Sequence, residues 1–213
     1  MTEKLLTERV GLYSLLRALY TYPLTESLLK DVAGLTLPPD SPLRDDLAKM
    51  QSSLNEDALN LEMTRLLEGP GRTPAPPYAS FYLHNKQLMG PAAITARNTY
   101  LTWQAWPDSD ERLPADHLTL ELGFMAYLAD LAISSESDRP KALAASHAFL
   151  TEQITPWLPR FAQAVLQSTD VPFFVGLVGF TQTAIQSDLE WLTLLQGTHP
   201  QSALSVQTPN MEV

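Results

Sequence analysis

An all-α fold, a bundle of about ten helices, is what the sequence predicts. Three observations carry the prediction. Apolar residues recur at the spacing of one helix face, as Leu5, Leu12, Leu15, Leu16 and Leu19 do. Proline, alone or next to glycine, marks most of the breaks between such runs. No stretch alternates apolar and polar residues for long enough to make a strand.

Taken in order, the first helix ends at Tyr22-Pro23. Thr25 caps a second, which stops near Gly34. After Leu37-Pro38-Pro39, Ser41-Pro42 supplies an N-cap and a proline at the first helical position, for a helix to about Leu54. The next runs from about Asp57 to Leu67. The segment from Gly69 to Pro77 holds two glycines and four prolines and cannot be helical. Helix resumes from Tyr78 to Leu88, and Gly90-Pro91 breaks it and opens another, to about Gln104. Trp106 to Pro114 is polar and acidic and reads as a linker. A long helix follows from Asp116 to about Ile133, and Asp138-Arg139-Pro140 starts one that ends before Pro156. Pro156 and Pro159 front a helix through Leu166, and the last runs from near Pro172, with Asp170 as its cap, to Gly197. The expected organisation is an N-terminal helical lobe (1–105), a hinge linker (106–115), a C-terminal helical lobe (116–197) and a mobile tail (198–213).

Composition narrows the function classes. With 45% hydrophobic and 18% charged residues, the chain is that of a folded globular protein. Its 24 acidic and 14 basic residues leave a net charge of -10, which disfavours nucleic acid and anionic membrane surfaces and favours basic peptides. The absence of cysteine excludes disulfides, thiolate nucleophiles, iron–sulfur ligation and cysteine zinc sites. Glu8 and Arg9 interrupt any secretory apolar region, and the longest apolar run, Phe173 to Phe180, is too short to span a membrane. The expectation is a soluble cytoplasmic protein with no direct membrane insertion.

Catalytic motifs are missing. Gly69-Pro70-Gly71 leads into Arg72-Thr73-Pro74 rather than the Gly-Lys-Ser/Thr of a phosphate loop. There is no three-glycine dinucleotide fingerprint and no Gly-x-Ser-x-Gly elbow. Asp116, His117 and Glu121 gather at the start of one helix and admit an alternative, a small helical metal-dependent hydrolase. The other histidines, His84, His147 and His199, lie in separate segments, so no two-histidine site is built locally. The simpler reading makes Asp116 the helix cap and pairs His117 with Glu121. No catalytic residue, metal or cofactor is therefore expected. Aromatic residues cluster at the breaks: Tyr78, Phe81 and Tyr82 after the prolines, Trp103 and Trp106 before the linker. Trp106 is placed to line a groove.

One block is more specific. It reads Glu68-Gly69-Pro70-Gly71-Arg72-Thr73-Pro74-Ala75-Pro76-Pro77-Tyr78-Ala79-Ser80-Phe81-Tyr82, followed by Met89-Gly90, Arg97, Tyr100, then Pro114-Ala115-Asp116-His117 leading to Glu121 and Phe124-Met125. Later come Phe149-Leu150 and Trp157-Leu158-Pro159-Arg160-Phe161. In order and spacing this resembles the TorD/DmsD/NarJ family of redox-enzyme maturation chaperones, over about residues 5 to 195. Gln153 stands where the family often has histidine.

The resemblance implies a TorD-like all-helical fold, monomeric or domain-swapped through the linker, without catalysis or cofactor of its own. It implies a partner: the catalytic subunit of a molybdopterin-dependent oxidoreductase of anaerobic respiration, bound through its twin-arginine leader peptide or as the apoenzyme. Tyr78, Tyr82, Trp106, Pro114, Asp116, His117 and Glu121 are then the candidate peptide-binding residues. Gly69, Pro70, Gly71, Pro74, Pro76 and Pro77 form a structural loop. Asp116, with Glu121, would read the arginines, and Asp108, Asp110 and Glu111 would steer them. Guanine-nucleotide binding, proposed for some members, has no phosphate motif here to support it.

Overall fold

The computed structural model describes residues 3–69, 73–105 and 113–198. Ten α-helices follow in chain order: α1 (Glu3–Leu19), α2 (Glu26–Gly34), α3 (Arg44–Gln51), α4 (Glu56–Met63), α5 (Ala79–Leu83), α6 (Pro91–Thr102), α7 (Leu118–Ser134), α8 (Arg139–Phe149), α9 (Leu158–Leu166) and α10 (Pro172–Thr198). Single π turns prolong α4 (Thr64–Glu68) and α8 (Leu150–Ile154). Among the described residues the only sheet-like pairing is one antiparallel bridge, Tyr78 to His117. No helix among them is long and apolar enough to cross a membrane. Most of the expected hinge and nearly all of the expected tail lie outside the described residues.

Local chemistry sets several of these ends. Thr25 caps α2 by accepting from the Leu28 amide, and Asn55 caps α4 by accepting from Ala58. The helix expected from Ser41-Pro42 starts later, at Arg44, because the Ser41 hydroxyl accepts from the Leu43 amide and closes a turn ahead of it. It ends at Gln51, whose side-chain amide donates to the carbonyls of Val32 and Leu35 and ties α3 to the end of α2. The helix expected over 78–88 is only five residues long. Asn85 and Lys86 take left-handed backbone (φ 50° and 64°), and the Lys86 amide donates back to Phe81, which closes the helix there. Asp170, expected to cap the last helix, is exposed, and the Val171 amide donates instead to the Thr169 hydroxyl.

Packing centres on α7. It lies along α1, packs against α8, and is buried on most sides through its first half. One core joins Tyr13, Leu16 and Leu19 of α1 to Leu122, Met125 and Leu128 of α7 and to Trp157, Phe161 and Phe173. It thus draws on chain from both sides of residues 106–112. Each large apolar side chain buried this way contributes about 1.5–3 kcal/mol. The close contact of α3 with α10 depends on two glycines. A Cβ on Gly176 would sit 2.9 Å from the Met50 amide nitrogen, and one on Gly179 2.5 Å from an Asp46 carboxylate oxygen.

A buried ion pair fastens α1 to α10. Arg9 Nε and Nη2 donate to the two carboxylate oxygens of Asp188, at 2.7 and 3.0 Å, and the Tyr13 hydroxyl adds a third bond at 2.6 Å. The guanidinium also lies over the Trp191 ring, 5.2 Å from its centre.

Candidate functional site

The proline segment is folded back by a few backbone bonds. Gly69 ends the π turn where a Cβ would meet the Thr64 carbonyl oxygen at 2.8 Å. The Ala75 amide then donates to Leu66, which lays the segment against the end of α4. Ala75, Pro76 and Pro77 are buried, whereas Pro74 is exposed. Prolines have no N–H to leave unsatisfied, so this stretch is buried through its carbonyls. Pro76 accepts from the Tyr78 amide, and Pro77 from the Leu118 amide.

That last bond is half of a crossing between two distant segments. The Ala79 amide donates to the Asp116 carbonyl, completing the bridge of Tyr78 with His117. Pro114 shapes the second segment by accepting from the His117 amide, and the Tyr100 hydroxyl donates to Ala115. Two short helix starts, α5 and α7, are thereby set side by side.

The capping pattern differs from the sequence expectation. Asp116 does not cap α7: its Oδ2 accepts from the Ser80 amide at 2.7 Å and serves α5. His117 is the cap of α7, its Nδ1 accepting from the Thr119 amide at 3.2 Å. An accepting Nδ1 leaves the ring proton on Nε2. The partner of Nε2 is Glu68 rather than Glu121: Glu68 Oε1 lies 3.5 Å away, an electrostatic approach without the alignment of a hydrogen bond. The Tyr78 ring meets His117 edge-on, 4.9 Å between centres.

Burial divides these groups sharply. Asp116 and Glu121 are both 0% exposed and His117 is 1% exposed, while the Glu68 side chain is 27% exposed and Tyr78 is half-buried. The second oxygen of Asp116 and both oxygens of Glu121 have no hydrogen-bond partner among the described residues. Burial, and then the charge of Asp116, push the Glu121 carboxyl well above the usual carboxylate range; the nearby indole of Trp157 opposes this without making an aligned bond. Burial, followed by Glu68 and Asp116, also raises the Tyr78 hydroxyl.

Tyr82 lies one turn along α5, facing α9. Its ring stacks on Trp157 with 5.7 Å between centres, and its buried hydroxyl, raised by burial, finds no partner among the described residues. Tyr78, Pro114, Asp116 and His117 are thus brought together, Glu121 lies beneath them, and Tyr82 belongs to a neighbouring aromatic cluster with Phe161. Trp106, Pro70 and Gly71 lie outside the described residues, as do Asp108, Asp110 and Glu111. Sequence reasoning missed Glu68, Ser80 and Trp157 as members of the site. Glu68 had one signal, its place at the head of the glycine–proline block.

Chemically, the junction offers no nucleophile beside a base. Both Asp116 Oδ2 and His117 Nδ1 are spent on backbone amides, and among the described residues no three acidic or histidine side chains are arranged to hold a metal ion. Among the described residues the metal-hydrolase alternative finds no donor set. What the junction presents at its surface is an aromatic edge, Tyr78, beside a carboxylate, Glu68, with further acidic groups buried behind them.

Three comparisons bear on this arrangement. A family model described as nitrate reductase delta subunit matches residues 38–163. The chain is 26% identical over 203 residues to the chaperone protein TorD of Aliivibrio salmonicida (strain LFI1238), covering 87% of this chain and 94% of that one. It is 28% identical over 158 residues to the Tat proofreading chaperone DmsD of Salmonella typhi, covering 74% and 73%. Among solved structures it resembles a chain described as a redox enzyme maturation protein from Archaeoglobus fulgidus, with a TM-score of 0.52 and 22% identity over 87% of this chain and 93% of that one. At that identity the likeness is one of fold.

Proposed function

Since the chain belongs to the nitrate reductase delta subunit family, we propose that it is a maturation chaperone for the catalytic subunit of a molybdopterin-dependent oxidoreductase. It acts by binding, not by catalysis. The finer reading is that it holds the subunit's twin-arginine leader, or the apoenzyme, in the cytoplasm while the cofactor is inserted. The relatives named above are chaperones, and one of them is a Tat proofreading chaperone.

The observation that carries the reading is the Tyr78–Glu68–His117 edge. A guanidinium stacks on an aromatic ring and forks onto a carboxylate. Glu68 is the carboxylate within reach of a peptide, and the buried Asp116 deepens the negative potential behind it. Asp116, His117 and Pro114 then act by holding α5 and α7 in register, and Glu121 by its packing beneath them. Tyr82 contributes apolar surface next to the same face.

The test is affinity capture of the tagged chain from an anaerobically grown host, with the co-purifying proteins identified by mass spectrometry. A molybdopterin oxidoreductase subunit should be enriched, and Glu68→Gln with Tyr78→Ala should lose it while the fold is retained. Absence of any such subunit would count against the reading. Retention by the variant would move the arginine contact elsewhere.

A further inference from the structure

A second feature lies beside the junction but has the opposite charge. Between α5 and α9 an open cleft of about 660 Å³ is lined by Phe81, Tyr82, Leu83 and Ala164, with Lys86 and Arg160 among its polar residues. Among the described residues no carboxylate lines it. That volume is in the range of roughly 300–1,000 Å³ typical of ligand sites.

The two cations differ from several basic residues of the first four helices, which pair with carboxylates. Lys4 pairs with Glu8, Arg9 with Asp188, Lys30 with Glu26, Lys49 with Asp46 and Arg65 with Glu62. Neither Lys86 nor Arg160 meets a carboxylate among the described residues. In a chain of net charge -10, two cations with no counter-charge among the described residues beside one apolar cleft form a local field of the other sign. Arg160 is also held in place, since Nη1 donates to the Tyr82 carbonyl at 2.7 Å across the α5–α9 contact. A guanidinium fixed in this way loses little freedom when it takes up a carboxylate. Lys86 sits in left-handed backbone at the turn that closes α5, where an L side chain carries a steric cost.

We infer that this cleft is a second docking site, for a client segment that places a carboxylate next to a bulky apolar side chain. The inference rests on the chaperone reading above and extends it. The arginines of a leader are attracted to the Glu68 edge and repelled by Lys86 and Arg160, so the cleft takes a different part of the client. The apolar side chain packs on Phe81, Leu83 and Ala164, and the carboxylate is shared by the two cations. Together the two sites read a client by the order of its charges along the chain, which neither site reads alone.

The probes are short acetylated, amidated peptides of sequence Ala-Leu-Phe-Glu-Ala and Ala-Leu-Phe-Gln-Ala, fluorescently labelled and titrated by anisotropy into the full chain. The glutamate peptide should bind about tenfold more tightly than the glutamine one, from charge-assisted hydrogen bonds. High salt should narrow the gap. Lys86→Glu leaves the Arg160 bond to Tyr82 intact and should abolish or invert the preference, whereas Phe81→Ala should weaken both peptides alike. Equal binding of the two peptides, no binding of either, or a preference that survives Lys86→Glu overturns the inference. A leader peptide with paired arginines, titrated into the same samples, separates the two readings. If it binds wild-type and Lys86→Glu chains equally while the glutamate preference is absent, the cleft fails and the chaperone reading stands. If the glutamate preference holds and the leader does not bind, the Glu68 site fails instead.

Discussion

Among the described residues, ionisable acidic and basic side chains are buried at two places, where α1 meets α10 and where the proline segment crosses the start of α7. In the first, Arg9 and Asp188 carry opposite charges and share two hydrogen bonds, with Tyr13 completing the set. In the second, Asp116 and Glu121 are like groups, and three of their four oxygens have no partner among the described residues. The first cluster is an economical clamp, since nearly every polar atom is spent on holding helices together. The second is a poor way to hold helices, because each unsatisfied buried acceptor costs about 1–3 kcal/mol. Under the proposed reading its contribution is electrostatic, a negative field from Asp116 behind Glu68 and the half-buried Tyr78. On that reading, stability and recognition fall to different buried groups.

The largest expected effect tests the clamp. Asp188→Ala strands a buried guanidinium and should cost about 3–5 kcal/mol in urea denaturation. Peptide binding by the molecules that remain folded should be unchanged. A loss in binding larger than the loss in stability would erase the contrast between the two clusters.

Next comes Asp116→Ala, which removes the acceptor of the Ser80 amide and should cost about 1–3 kcal/mol. Asp116→Asn keeps an acceptor there and removes the charge. It should recover most of the stability but not the binding of an arginine peptide. If both variants bind like the native chain, the buried field has no role in recognition.

Glu121→Gln should go the other way and stabilise the protein above neutral pH. The folded carboxyl holds its proton more tightly than the unfolded one. At acid pH both states are protonated and the group adds no pH dependence. As pH rises past the ordinary carboxylate range the unfolded chain releases its proton first, and stability falls until the folded carboxyl also ionises. Glutamine has no such slope, so the variant should gain on the order of 1 kcal/mol at pH 8 relative to pH 5. Parallel pH–stability curves for the two proteins would mean that Glu121 is not strained.

The smallest expected effect is on the cap. Asparagine is as good a cap as any, so His117→Asn should change stability by only a few tenths of a kcal/mol. It removes the ring that Tyr78 packs against and the Nε2 facing Glu68, so binding of an arginine peptide should weaken measurably. Equal and small effects on both would reduce His117 to its capping role.

Much of this architecture was legible because it is set locally. Thr25 and the glycine–proline breaks act within a turn of themselves, and the α2 cap falls at the residue expected. The site was legible only in part. The adjacency of Asp116 and His117 could be read from the chain, but not that Asp116 would serve α5, which lies 36 positions away from it at Ser80. A cap is recognised in sequence by its neighbours, and here the neighbour came from another segment.

By itself, then, the sequence determined that the chain is helical, where most of its helices break, and which short block carries the family's pattern, because periodicity and turn chemistry act over a few residues. Only the tertiary structure decided which charges are buried, which are paired and which reach the surface. Arg9 and Asp188 are 179 positions apart, and nothing near either predicts the other. Burial and pairing follow from which helices pack together, and that is a property of the whole core rather than of any segment within it.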